Sequence, residues 1–321
     1  MREARTAALD SLRGLALGDA FGETWFPVLR AGGDARALIR ARRVPEAARW
    51  PWTDDTALAA ALLRAAWPDG EVAQDAVAGE FGRTYLADDG RGYAAGMHEL
   101  LPRLAADPAA WRAGSRALFG GEGSLGNGGA MRAAPLGALC ARDPAVAARR
   151  AALAAEVTHR HPEGVAGAVA VALAAASAVT ARAPVEPAAL LRGVAARTPP
   201  GRVRDGVARA AALPSDTGPA EAAAVLGSGR RMRADDTVPF ALWSAARHLD
   251  DLVGALWCTA EGLGDVDTTC AITGGVVAAR VGTAGVPAPW LARAEPLPEW
   301  VARLAGQGPS PRAEEDRPDR A

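Results

Sequence analysis

Gly264-Asp265-Val266-Asp267-Thr268-Thr269-Cys270-Ala271-Ile272-Thr273-Gly274-Gly275-Val276-Val277-Ala278-Ala279-Arg280 is the stretch on which the fold turns. From Thr268 onward it reads as a helix that is apolar almost all round, and a helix of that character is buried. A buried helix has a buried start, and this start carries Asp265 and Asp267. Carboxylates in such a place are costly unless they are paired or bind a metal. Read as extended backbone ahead of a helix beginning at Thr268, two acids spaced two apart point the same way. Gly274 and Gly275 leave room for another helix to approach this one closely.

A second acidic-threonine motif stands more than 200 residues earlier, at Trp52-Thr53-Asp54-Asp55-Thr56. It opens a helix read over Ala57–Trp67, and capping is its ordinary explanation, because Thr or Asp at an N-cap satisfies orphan amides and acids there suit the helix dipole. One side chain suffices for a cap, so the remaining acids need another partner. If the two motifs meet, four carboxylates and two hydroxyls converge, which is the oxygen-rich chemistry that Mg²⁺ and similar hard cations take.

Helical signals dominate the rest. After the Pro68-Asp69-Gly70 stop a helix is expected over Glu71–Leu86. Further helices are expected over 98–105, 133–141, 144–157, 163–181, 187–196, 203–211, 218–225, 239–247, 249–261, 268–280 and 298–304, with Pro and Gly at nearly every junction. Alternating strand patterns are scarce and no fixed-period repeat occurs. The expectation is one compact all-α domain over 1–305, an orthogonal helical bundle with a cleft for two metal ions, and a disordered tail over 306–321 whose Pro, Arg and acids leave almost nothing apolar.

The chain has 321 residues, a net charge of −1 and 50% hydrophobic residues. That balance suits a globular protein and argues against a general nucleic-acid binder. All 36 basic residues are arginine, a composition bias that also rules out a Schiff-base or lysine nucleophile. Cys140, Cys258 and Cys270 lack metal or redox spacing and lie in apolar segments, as expected of free thiols in a reducing cytoplasm. The N-terminus has no apolar signal-peptide core, and the apolar run Val165–Val179 is short for a bilayer span, so it reads as a buried helix.

Four more places carry chemistry. Asp19, in Gly18-Asp19-Ala20-Phe21-Gly22-Glu23, follows the apolar run Leu12–Leu17; a structural hydrogen bond and a functional role are both open to it. The small residues of Gly126-Asn127-Gly128-Gly129 before Ala130-Met131-Arg132 would let backbone amides approach a phosphate, although neither a Walker loop nor a dinucleotide fingerprint is present. His159, in Thr158-His159-Arg160-His161, has no cysteine nearby to make a zinc site. Tyr93 is one of only two tyrosines, able to stack on a base or ribose or simply to anchor its loop.

In this order, Gly18-Asp19-Ala20-Phe21-Gly22, Trp52-Thr53-Asp54-Asp55-Thr56, Gly126-Asn127-Gly128-Gly129-Ala130-Met131-Arg132, Thr158-His159, Asp236-Thr237-Val238-Pro239 and Gly264-Asp265-Val266-Asp267-Thr268 resemble the ADP-ribosylglycohydrolase family, that of the dinitrogenase-reductase-activating glycohydrolase. The resemblance spans roughly residues 7–283. It implies two Mg²⁺ (or Mn²⁺) held by Thr53, Asp54 and Asp55 on one side and Asp265, Asp267 and Thr268 on the other. It implies that Gly126, Asn127, Gly128, Gly129 and His159 line a pocket for ADP-ribose, with Asp19 and Tyr93 also assigned to substrate binding. Hydrolysis of the bond between ADP-ribose and a modified protein residue or small-molecule acceptor follows, in a bacterial, cytoplasmic, monomeric enzyme without membrane attachment. Asp55 or Asp54 is expected as the base, with Glu23 as the alternate. Many members carry a glutamate about two turns beyond the first Asp; Phe26 stands near that place here, and Glu23 is the nearby acid. Leu263 replaces one glycine of the usual Gly-Gly-Asp-x-Asp-Thr, and Tyr93-Ala94 stands where Tyr-Gly is common. The rivals are a non-catalytic ADP-ribose-binding protein on the same scaffold and a metal-dependent hydrolase of another nucleotide-like glycoside.

Overall fold

The computed structural model describes residues 3–182 and 184–306. Its α-helices run α1 (Ala4–Glu23), α2 (Trp25–Arg30), α3 (Ala35–Arg40), α4 (Asp54–Ala66), α5 (Gln74–Ala87), α6 (Ala95–Ala106), α7 (Trp111–Ala117), α8 (Ala134–Leu139) and α9 (Pro144–Glu156). They continue as α10 (Pro162–Thr180), α11 (Pro187–Ala195), α12 (Arg202–Ala212), α13 (Pro219–Leu226), α14 (Ala234–Arg247), α15 (Leu252–Ala260), α16 (Val266–Val281), α17 (Ala288–Arg293) and α18 (Glu299–Gly306). The fold is all-α. Among the described residues β pairing is limited to two isolated bridges, Trp50 with Ala294 and Gly126 with Arg233. Gly306 closes the last helix; the rest of the tail expected over 306–321 lies outside the described residues.

The most extensive helix pairing is that of α1 with α16. Gly14, Gly18 and Gly22 recur every four residues on α1, so they share one face. A Cβ at Gly18 would overlap the Cys270 carbonyl, one at Gly22 the Cα of Asp267, and one at Gly14 would sit 2.5 Å from the Gly274 carbonyl oxygen. Gly274 returns the contact against the backbone of Gly14. Two backbones therefore touch without side chains between them. These glycines punctuate nothing; α1 passes through them for 20 residues, longer than the Leu12–Leu17 run indicates.

Around this pair the remaining helices build apolar layers. α10 is long and apolar enough by composition to cross a membrane, yet 78% of its most apolar window is buried against α8, α9, α14 and α16. It is the buried helix expected over Val165–Val179. On one flank Phe21 of α1 gathers Trp25, Trp50, Trp257 and Trp290 at ring-centroid separations of 4.8–5.9 Å, mostly in the edge-to-face geometry that aromatic quadrupoles favour. Cys140, Cys258 and Cys270 are free and buried.

Several helix starts differ from the sequence reading, those of α5, α6 and α15 by three residues each. Three others matter for the site. α4 begins at Asp54, three residues before the expected Ala57, so that Asp54 and Asp55 belong to the helix itself. α16 begins at Val266, not at Thr268, with Asp265 as its N-cap. The chain turns into it through left-handed Leu263 (φ 55°) and Gly264 (φ 79°), and Asp265 N donates to the Ser228 carbonyl at 3.0 Å. Asp265 and Asp267 are thus aimed by a helix terminus, not by the alternation of extended backbone. α14 begins at Ala234, with Pro239 inside it. The missing Pro N–H forgoes only the bond to the Asp235 carbonyl, close enough to the helix start to be tolerated. α2, α3, α7 and α17 are six- and seven-residue helices outside the expected set.

The backbone contact between α1 and α16 sets a test. Gly18→Ala should lower the unfolding free energy by about 3 kcal/mol, because overpacking here meets backbone instead of a movable side chain. Denaturant titration measures it, and a change within experimental error would show that the two helices are not in backbone contact.

Candidate metal centre and substrate cleft

The first turn of α4 and the first turn of α16 meet across α1. Thr53 caps α4, accepting from Asp55 N at 3.3 Å, and puts Asp54 and Asp55 in the first turn. From α1, Asp19 reaches the same point. Its carboxylate accepts from Thr53 N (2.9 Å), Thr53 Oγ1 (2.9 Å), Thr56 N (3.1 Å) and Thr56 Oγ1 (2.5 Å). Across from it, Thr268 Oγ1 donates to Asp55 Oδ2 at 3.1 Å. Carboxylate oxygens of Asp19, Asp55 and Asp267 all lie within 4.8 Å of one another.

The sequence assigns Asp19 to substrate binding; the structure places it fully buried, beneath Thr53 and Thr56 at the floor of the acidic cluster. The sequence also makes Asn127 part of an amide cradle. Its side chain instead donates from Nδ2 to Asp265 Oδ2 (2.6 Å) and Thr237 Oγ1 (3.1 Å), while Thr237 Oγ1 donates to the Arg233 carbonyl. Asn127 therefore fixes the orientation of the Asp265 carboxylate.

The electrostatics are those of like charges forced together out of water. Burial, countered by the four hydrogen bonds, brings Asp19 to about 6. Burial and then the Asp19 charge bring Asp54 to about 7. Asp55 stands well above the carboxylate range, from burial and the charges of Asp19 and Asp267. Asp267 stands there too, from burial and the charges of Asp265 and Asp19. Burial also raises Asp265, against the hydrogen bond from Asn127.

Does this set suit a cation? Asp267 Oδ1 is buried without a hydrogen-bond partner, a costly state for a carboxylate oxygen unless something positive sits beside it. The hydroxyl protons of Thr53 and Thr268 are directed at Asp19 and Asp55, so each oxygen turns only lone pairs outward. Carboxylates with hydroxyls are the donor set of hard divalent cations. The acidic group is able to hold a metal ion.

Asp54, Asp265 and Asp267 stand between two lobes of one cleft, with Gly92 and Met232 along the same divide. The outer lobe, about 850 Å³, takes Glu23, Phe26, Leu29 and Arg30 from α1 and α2, together with Trp52 and Arg91. The inner lobe, about 560 Å³, takes Gly126, Asn127, Gly128, His159, Arg132, Phe119 and Met97. The Gly-rich loop is anchored where Asn127 N donates to the Met232 carbonyl (3.1 Å) and Ala234 N to the Leu125 carbonyl (3.1 Å). Gly129 is buried behind this surface. Tyr93 is buried against Tyr85 and His98, and it borders a separate crevice between α4, α5 and Trp300.

With the geometry in place, comparison with known proteins is informative. The sequence profile of the ADP-ribosylglycohydrolase family matches residues 2–318. The chain belongs to the ADP-ribosylglycohydrolase family. Curated relatives include ADP-ribosylhydrolase ARH3 of Homo sapiens, 35% identical over 130 residues, and that of Bos taurus, 37% identical over 130 residues; each match covers 38% of this chain and 34% of the relative. The chain thus aligns with about a third of the length of the curated relatives it matches. A solved structure titled "ADP-ribosylglycohydrolase-related protein complex" superposes with a TM-score of 0.61 at 26% identity, covering 95% of this chain and 97% of that one. The shared fold thus extends over nearly all of both chains.

Sequence reading gives no role to Arg132 or Arg91. Arg132 is a charge next to an apolar run, Ala133–Ala141, and such a charge needs partners. Arg91 lies over the Trp52 ring at 3.6 Å, makes a bidentate pair with Glu295 (2.8 Å each), and its carbonyl accepts from Asp54 N at 2.8 Å. No local pattern shows that long-range tie.

The raised carboxylates fix the sign of a pH effect. Where the folded state binds more protons than the unfolded chain, stability falls as pH rises. In EDTA, the unfolding free energy should therefore decline between about pH 4 and pH 7, each tenfold difference in proton affinity between the folded and unfolded chain being worth about 1.4 kcal/mol. A saturating divalent cation should abolish the decline, and Asp267→Asn should make the metal-free protein more stable near neutral pH while removing the gain from the cation. Thermal unfolding across pH, with and without the cation, checks this. A flat profile in EDTA would show that the carboxylates do not repel one another.

Proposed function

We propose that the protein is a Mg²⁺-dependent hydrolase that cleaves the glycosidic bond between ADP-ribose and a modified protein residue or other acceptor. The observation carrying this reading is the buried group of carboxylates at the junction of two lobes, with one Asp267 oxygen left unpartnered. Thr53, Asp54 and Asp55 on α4 and Asp265, Asp267 and Thr268 on α16 are the residues that would hold two Mg²⁺, with Mn²⁺ as an alternative. Such ions acidify and orient a water and polarise sugar hydroxyls.

The chain's own groups divide the remaining work. The inner lobe binds the ADP part, through Gly126, Gly128 and His159, while the outer lobe takes the acceptor. Asp19 holds Thr53 and Thr56, and Asn127 holds Asp265, so the oxygens are preorganised before substrate arrives. The anomeric carbon then lies at the divide, where cleavage passes through an oxocarbenium-like state stabilised by nearby negative charge.

Three acids compete to take the proton from water. Asp55 and Asp54 adjoin the centre, whereas Glu23 lines the outer lobe, half-buried, with burial raising its pKa against the opposing Arg30 charge. Phe26 lines the same lobe, so Glu23 supplies the carboxylate on that wall. We assign Glu23 as the base, with Asp55 and Asp54 committed to metal. Three buried free thiols fit a reducing compartment, and we place the enzyme in the cytoplasm, acting as a monomer.

Asp55→Ala and Asp267→Ala should each abolish Mg²⁺-dependent release of ADP-ribose from a panel of defined ADP-ribosylated substrates, with the helical circular dichroism retained. Activity equal to wild type in either variant would remove the metal reading, and tight ADP-ribose binding without turnover on any substrate would favour a binding protein. Glu23→Gln should lower kcat by about a hundredfold or more while leaving Mg²⁺ affinity by calorimetry unchanged. An unchanged kcat would return the base to Asp55 or Asp54.

A further inference from the structure

At the inner lobe runs a chain of three polar side chains, Arg132, Thr158 and His159, of which the proposed function uses only His159. Arg132 is buried, 1% exposed, and no carboxylate pairs with it among the described residues. Its guanidinium donates to the Gly128 carbonyl (2.8 Å), to the Ala154 carbonyl (3.3 Å) and to Thr158 Oγ1 (2.7 Å), and it lies over the Phe81 ring at 4.5 Å. Thr158 is fully buried, and its oxygen also lies 2.7 Å from His159 Nδ1.

The direction of every proton in this chain follows from the donor inventory. A guanidinium only donates, so Thr158 Oγ1 accepts from Arg132. The hydroxyl has one proton, and His159 Nδ1 is the acceptor within its reach. Were Nδ1 protonated instead, two donors would converge on Thr158 and its own proton would be buried without an acceptor, at a cost of about 1–3 kcal/mol. Nδ1 therefore accepts. Burial and the Arg132 charge together bring the imidazole down to about 3, so the ring is neutral, and its single proton sits on Nε2.

Nε2 faces the glycines of the loop. A Cβ on Gly128 would stand 2.9 Å from Nε2, and one on Gly126 would stand 3.3 Å from it. Glycine at both positions keeps that edge of the ring open to the lobe, and Nε2 has no hydrogen-bond partner among the described residues.

We infer that Arg132 and Thr158 are positioning residues that lock His159 in its Nε2–H tautomer, so that His159 serves as a hydrogen-bond donor to an anionic oxygen of the ligand in the inner lobe, and not as an acid or a base. The ligand side of this inference, a pyrophosphate oxygen, rests on the ADP-ribose reading; the tautomer itself does not. Without the arginine, the Thr158–His159 bond has no fixed direction, and the alternative tautomer would turn a lone pair toward the anion.

Nitrogen-15 NMR of the ligand-free protein reads the tautomer directly, and calorimetry with ADP-ribose reads its consequence. Wild type should show a protonated Nε2 and a bare Nδ1, unchanged from about pH 5 to pH 8 because the ring does not charge there. Thr158→Val should redistribute the tautomers and weaken ADP-ribose binding about tenfold, the loss of one directed hydrogen bond. Thr158→Ser should restore both. His159→Phe, which keeps a ring and removes the donor, should weaken binding by a similar factor, and adding Thr158→Val to it should cost nothing more. A protonated Nδ1 in wild type overturns the inference, as do additive losses in the double variant. If wild type shows the Nε2–H form yet binds no ADP-ribose, the tautomer assignment stands and the reading of the ligand falls.

Discussion

The contact on which this structure rests is the approach of two helix backbones, α1 and α16, across Gly14, Gly18, Gly22 and Gly274. No side chain separates them, so the pair is held at a separation that any Cβ would forbid. Asp19 and Asp267 belong to these two helices, and the glycine contact carries their carboxylates within reach of Asp55 on α4. A site built this way inherits the rigidity of the packing. The glycines lower helix propensity, by about 1 kcal/mol each relative to alanine, and the fold accepts that because the alternative is a wider gap at the centre.

The acidic cluster works against the fold that creates it. Burial raises every carboxylate in it, and the charges of neighbouring cluster carboxylates raise Asp54, Asp55 and Asp267 further; a structure selected for stability alone would place apolar residues there. Local conflict of this kind is expected at functional sites and is tolerated because the surrounding core is large. The hydrogen bonds within the cluster are arranged to leave oxygens, not protons, facing the cleft. Asp19 takes the protons of Thr53 and Thr56, Asp55 takes that of Thr268, and Asn127 turns an N–H toward Asp265. The two lobes then divide naturally: glycine backbone and a neutral histidine on one side of the carboxylates, aromatic and charged side chains on the other.

Read from one dimension, the chain declares its helices clearly, because alanine-rich periodicity and Pro or Gly stops are properties of short windows. It declares less well where glycine or proline lies inside a helix. Gly18 and Gly22 look like punctuation and are contact points; Pro239 looks like a start and lies in the sixth position of α14. The two-residue error at the start of α16 has the same origin, since a left-handed Leu263 and Gly264 end one segment earlier than composition suggests.

The sequence by itself determined an all-α chain, the placement of Thr53-Asp54-Asp55 and Asp265-Val266-Asp267-Thr268 at helix entrances, and the motif order through which its family is recognisable. The tertiary structure alone decided that Asp19 sits under the cluster, that Asn127 serves Asp265, that Glu23 shares a wall with Phe26, and that Arg132 reaches His159 through Thr158. The reason is separation along the chain: propensity and capping act over a few residues, whereas Thr268 and Asp55 are 213 positions apart and meet only once the glycine faces of α1 and α16 have closed.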